Sequence, residues 1–179
     1  MHRSYADFCV NKDTVLTNHP HLKDIRFCLI KVSNSGDRER IIPFLAEAGF
    51  KWLFRTGSND ALNNSVLERV YADRTVAKHK DTIIIRPLTN RPIVTPRGAW
   101  LELTPSILQS SVRTRRDHGL FIRTVEQAGV ERVVLSSDKP NPPSMRDMVS
   151  LMAILLELKF EQLDALIKHN NRRLESELL

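Results

Sequence analysis

The sequence lacks most of the features that mark specialised classes of protein. It holds only two cysteines, Cys9 and Cys28, in 179 residues. That is too few for a disulfide framework, and both lie in strand-like apolar runs, so they read as buried reduced thiols. No apolar run approaches the roughly 20 residues that a membrane-spanning helix needs. The N-terminus has no basic-then-apolar signal pattern, and the expected location is cytoplasmic, or nuclear in a eukaryote. There is no Gly-x-x-x-x-Gly-Lys-Ser/Thr loop, no Gly-x-Gly-x-x-Gly, no Gly-x-Ser-x-Gly and no Cys-x-x-Cys. Low-complexity tracts and fixed-period repeats are missing too. The sequence alone offers no complete catalytic constellation.

What is there describes one globular unit. The length suits a single domain with a continuous core. An apolar content of 41% and a mean hydropathy of −0.28 argue against disorder. The net charge of +6 is unevenly spread. From Arg86 to Arg123 there are seven arginines (Arg86, Arg91, Arg97, Arg113, Arg115, Arg116, Arg123), no lysine, and only Glu102 and Asp117 as acids. Arginine grips phosphate through a planar fork that lysine lacks. An arginine-only cluster therefore points toward nucleic-acid backbone.

Periodicity divides the chain into alternating strands and helices. Strands are expected at 4–10, 25–32, 50–54, 82–86, 99–103 and 131–136. Helices are expected at 37–48, 61–71, 115–128 and 145–158, with one or two amphipathic helices from Phe160 to Leu178. Pro43 predicts a late start or a kink in the first of these. Pro105-Ser-Ile107 reads as a turn, and 87–96 as a stiff loop. Short apolar strands alternating with helices imply a parallel sheet with helical crossovers. Both a small doubly wound sheet and a compact βα barrel fit. A full eight-unit barrel usually needs about 250 residues.

Functional groups in such folds gather where strands end. Asp138, Thr104 and Asn11 stand at strand ends. Asp138 either binds metal or caps the Lys139-Pro-Asn-Pro-Pro143 turn, and capping is the expectation. Glu102 is interior to a strand; it either points inward and pairs with an arginine or faces solvent at an edge. His19-Pro-His21 is the only His-x-His, the pair with which amidohydrolase-like barrels open, yet no second half-site accompanies it. Surface histidines are expected there. Ser136 and Ser137 lack a His–Asp partnership and read as binders of backbone or phosphate. Arg113, Arg115 and Arg116 enter a helix at its N-terminal end, where cations oppose the macrodipole. An anion held at that terminus would explain the placement, and a solvated face is the alternative.

The stretch from Arg97 to Asp147 resembles the p30-type subunit of archaeal and eukaryotic ribonuclease P, also called ribonuclease P protein component 3. The residues that carry the resemblance are Arg97-Gly98, Glu102-Leu103, Pro105-Ser-Ile107, Arg115-Arg116, Val133-Val-Leu-Ser-Ser137 and Arg146-Asp147. Upstream, Tyr5-Ala-Asp7, Trp52-Leu-Phe-Arg-Thr-Gly-Ser-Asn-Asp60 and Leu62-Asn63 look similar. The chain is short for the family, and the segment after Asp60 lacks a match for one βα unit. The resemblance implies a single TIM-barrel-like domain over 1–179, related to the PHP phosphoesterases but without their metal site. Asp7-Phe-Cys-Val-Asn11 stands where those enzymes have His-x-His.

It further implies that RNA does the chemistry, removing the 5′ leader of precursor tRNA with magnesium held mainly by the RNA component. The polypeptide would itself bind no cofactor and carry no catalytic residue. Its partners would be the ribonuclease P RNA and a Pop5-type protein subunit, with precursor tRNA met indirectly. Arg86, Arg91, Arg97, Arg113, Arg115 and Arg116 would contact RNA, as would Ser136, Ser137, Lys139 and Arg146, giving a salt-dependent, shape-directed interface. The competing expectation is a metal-dependent hydrolase of the amidohydrolase or PHP type with Glu102, Asp138, His19 and His21 as ligands. A plain α/β scaffold with a solubilising basic surface is the third.

Overall fold

The structure is a computed structural model that describes residues 3–33, 35–55, 61–62, 65–68, 84–87 and 97–179. Two sheets form the frame. β1 (Tyr5–Asn11), β2 (Ile25–Lys31) and β3 (Lys51–Arg55) make a parallel sheet in that order. The second sheet runs β4 (Ala61–Leu62), β5 (Ser65–Glu68), β6 (Ile84–Pro87), β7 (Trp100–Leu103), β8 (Val133–Leu135). Its last three strands are parallel, whereas β4, β5 and β6 pair antiparallel. The fold is thus mixed α/β with parallel strands and helical connections, as the alternation of periods predicted. Among the described residues, the strand pairing does not close into a barrel.

Side chains alternate along each strand, as the pleat requires. One set, Ala6, Phe8, Phe27, Leu29, Leu53, Ile84, Trp100 and Val134, comes from both sheets and forms a single cluster. Leu174 and Leu178 complete it. They belong to the C-terminal helix α6, so that helix packs against the end of the strands where Trp100 begins β7. The other set, including Cys28, Ile30, Phe54, Leu101, Leu103, Val133 and Leu135, faces the helices. The sheets also touch directly beyond β8, where the Asp138 N–H donates to the Cys9 carbonyl at 2.8 Å and the Ser137 N–H to Asp7 Oδ1 at 3.0 Å.

The helices are α1 (Lys12–Leu16), α2 (Ser35–Ala46), α3 (Pro105–Ser110), α4 (Arg115–Ala128), α5 (Met145–Leu155) and α6 (Phe160–Leu178). Local chemistry sets their ends. The Thr114 side chain accepts from the Asp117 N–H and starts α4, and Gly129 at φ 80° stops it. Ser144 does the same for α5 through the Asp147 N–H, so the predicted capping pair is present. α6 is one helix. It buries Leu163, Ile167 and Leu174, as its spacing predicts, together with Asn170, Asn171 and Glu175. Asn170 uses its amide to donate to the carbonyls of Val130 and Val133, both at 2.9 Å.

Three local expectations need correction. Helix 61–71 is absent where the chain is described: Ala61–Leu62 and Ser65–Glu68 are strands. Pairing with β6 overrides the helical spacing. Pro105-Ser-Ile107 opens helix α3 instead of a turn, with Pro105 at the first helical position, where its missing N–H is harmless. Helix α2 begins early, at Ser35, and runs through Pro43; Phe44, placed on its inner face by spacing, is 49% exposed. Residues 88–96, the expected stiff loop, lie outside the described residues apart from its first residue, Pro87.

Candidate functional site

The charged side chains that the fold brings together lie at the C-terminal ends of the strands. Glu102 of β7 is fully buried. Its two oxygens are held by Arg55 at the end of β3, Nη1 to Oε1 at 2.6 Å and Nη2 to Oε2 at 2.9 Å. Arg86 of β6 adds Nε to Oε2 at 3.1 Å and reaches Asp138 with Nη1 at 2.6 Å. Arg55 Nη1 also donates to the Phe8 carbonyl. Glu102 therefore points inward and pairs with arginine, the first of the two options open to it. Burial pushes its carboxyl up, but the guanidiniums of Arg55 and Arg86 more than offset this and hold it at about 2.

Asp138 sits just past β8 with φ 43°, a left-handed conformation uncommon for a non-glycine residue. Its Oδ2 takes the Arg86 contact, while Oδ1 accepts from Cys9 Sγ at 3.2 Å and lies 3.9 Å from Lys31 Nζ. Cations thus engage both oxygens, and among the described residues no backbone N–H of the turn donates to this carboxylate. Cys9 and Cys28 are free and buried, as expected, and burial pushes both thiols well above their ordinary value.

The His-x-His pair is split. His21 is buried, contrary to the expectation of a surface residue, and its Nε2 lies 2.7 Å from Asp7 Oδ2. Asp7 Oδ1 meanwhile accepts from the N–H groups of Cys9 and Ser137 at 3.1 and 3.0 Å. His19 stays half-buried and its Nδ1 accepts from the His21 N–H at 3.2 Å. One nitrogen of each ring thus serves Asp7 or the backbone. Among the described residues, His21 Nδ1 has no hydrogen-bond partner, and no hydrogen bond or ion pair joins either ring to Glu102 or Asp138. Among the described residues, no group of three or more His, Cys, Asp or Glu side chains is arranged to hold a metal ion.

The arginines divide into separate sets. Arg113, Arg115 and Arg116 are exposed around the start of α4. Unlike Arg86, they make no ion pair or side-chain hydrogen bond among the described residues. Arg97 is exposed in the turn that enters β7, at the opposite end of the strands from Arg86 and Lys139. Arg146 lies over the Phe160 ring at 5.4 Å, at the start of α6. Lys139 is half-buried, and its carbonyl accepts from Thr14 Oγ1 at 2.9 Å. Ser136 and Ser137 are fully buried. Their N–H groups donate to the Leu103 carbonyl and Asp7, which takes them away from any surface contact. Arg91 falls outside the described residues.

Arg55 and Lys31 were given no role by the sequence, and Asp7 stood out only through the resemblance. A lone charge at the apolar end of a strand, as in Phe54-Arg55, was the available signal for Arg55. Its partner Glu102 is 47 positions away, and nothing local names it. A scan against protein-family models finds no match to the chain, and a search of curated proteins also finds none. Among the described residues no helix is long and apolar enough to cross a membrane.

Proposed function

We propose that this chain is an RNA-binding protein subunit of ribonuclease P that supports RNA-catalysed removal of the 5′ leader from precursor tRNA. In this reading the two sheets are parts of a compact βα barrel, and the polypeptide itself is not the catalyst. Magnesium enters through the RNA component, and a Pop5-type subunit is the protein partner. The observation that carries the reading is a contrast in charge use. The strand-end carboxylates Glu102 and Asp138 are already neutralised by Arg55, Arg86 and Lys31. Among the described residues, the exposed cations Arg113, Arg115 and Arg116 have no such counter-charge.

Three uncompensated arginines beside a helix N-terminus are unfavourable in isolation, each by roughly 0.3–1 kcal/mol if near enough to feel the dipole. The Thr114 cap and Asp117 already serve that helix end. A polyanion docked there turns the same charges into favourable contacts through counterion release. The hydrolase alternative instead requires Glu102 and Asp138 to exchange arginine for metal. Arg115→Ala combined with Arg116→Ala should weaken RNA binding and lower the salt slope by roughly two contacts. Filter binding across a salt series reads this. An unchanged slope would remove the arginines from the interface.

A further inference from the structure

Helix α4 carries a glycine for which the fold gives no reason. Gly119 lies in the first half of a 14-residue helix. Among the described residues, a Cβ built there would meet a single heavy atom, Arg123 Nη2, at 4.0 Å, and the backbone is not in the left-handed region. Neither strain nor crowding asks for glycine, which is among the least favourable residues inside a helix. What the missing side chain does allow is a bare patch of backbone on a half-exposed face.

Arg123 closes over that patch. Its Nε–H donates to the Gly119 carbonyl one turn earlier, at 3.2 Å. This ties down the Nε edge of the guanidinium and sets Nη2 4.0 Å from where a Cβ of residue 119 would stand. Arg116 stands on the same helix face, because positions 116, 119 and 123 follow the spacing i, i+3, i+7. The two arginines are separated by about 10 Å along the axis. Arg115 flanks them and is also exposed. The acids of α4 are Asp117, which faces its Thr114 cap at 2.8 Å, and Glu126 toward the far end. The first turns of α4 thus present cations of one sign around exposed main chain, and the stripe holds no large apolar residue that would anchor a protein partner.

We infer that this flank of α4, centred on Gly119 and including Arg123, is where the sugar–phosphate backbone of RNA lies against the protein. The inference rests on the RNA-binding reading and deepens it. The contact is made on the side of the helix, at close range, with backbone and not with base edges. A pinned guanidinium offers two coplanar donors, which match two oxygens of one phosphate. A side chain longer than alanine at position 119 would hold the nucleic acid off.

The test uses the full chain, bulk transfer RNA as the probe, filter binding across a salt series and thermal melting. Gly119→Ala should melt about 2–4 °C above the parent, because helix propensity improves and no contact is lost. Gly119→Gln should melt no lower than the parent yet bind transfer RNA about tenfold more weakly, the loss of one charge-assisted contact. Arg123→Ala should lower the salt slope by about one. Parent-like binding by Gly119→Gln, with the parent binding normally, overturns this inference and leaves the RNA-binding reading standing. Melting of Gly119→Gln below the parent also overturns it, since the glycine would then be structural. A parent chain that does not bind transfer RNA at any salt concentration overturns both.

Discussion

Replacing Glu102 with glutamine probes the charge layer that joins the two sheets. The substitution keeps shape and removes one charge. Arg55 and Arg86 then lose their buried counter-ion, although Arg86 retains Asp138. Glu102 ordinarily titrates at 4.5 and is held at about 2 in the folded chain. A folded value below the unfolded one means that the stabilisation is fully present above about 4.5 and is lost as pH falls toward about 2. The interval corresponds to about 3 kcal/mol. Breaking a buried pair by removing one partner typically costs about 3–5 kcal/mol, which agrees. For a chain of this size the melting temperature should fall by about 6–12 °C.

Urea unfolding at neutral pH and at a series of acid pH values would measure this. Glu102→Gln should be about 3 kcal/mol less stable at pH 7. The gap should narrow steadily below pH 4.5, because protonated Glu102 then resembles the variant. A variant within about 1 kcal/mol of the parent at pH 7, or a gap independent of pH in acid, would refute the buried pairing.

Two further outcomes test the same interior. Asp7→Ala removes the acceptor of the Cys9 and Ser137 N–H groups and the partner of His21; at about 1–3 kcal/mol for each orphaned group, urea unfolding should show a loss above about 3 kcal/mol. Cys9 and Cys28 are buried with raised thiols, so neither should react with a thiol reagent in the native protein at neutral pH. Both should react on denaturation, and rapid native labelling of either would contradict the packing.

The elements whose information is local were legible in the sequence. Thr114, Asp117 and Gly129 bracket α4 within a few positions of its ends, and Ser144 with Asp147 starts α5. The parallel strands at Ile25–Lys31 and Trp100–Leu103 follow from short β-branched or apolar runs between helical patterns. What depends on distant pairing was not legible. Residues 61–68 carry helical spacing, yet pairing with β6 makes the described part β-structure. Asp138 reads as a turn cap until Arg86, 52 positions away, is seen to hold it. Ser136 and Ser137 read as binders of backbone or phosphate; the contact between β1 and the segment after β8 buries both, and Ser137 Oγ donates to the Cys9 carbonyl at 3.4 Å. The seven arginines were visible as a group. Their division into an interior pair-former, an opposite-end residue and an exposed α4 set required the fold.

The most direct test of the central claim is isolation of the chain from its own host, followed by cleavage assays on precursor tRNA before and after nuclease digestion of the preparation. The account predicts that a structured RNA co-purifies, that the complex releases the 5′ leader, and that digestion abolishes the activity while the polypeptide stays intact. Absence of any bound RNA, or cleavage that survives digestion, would contradict it.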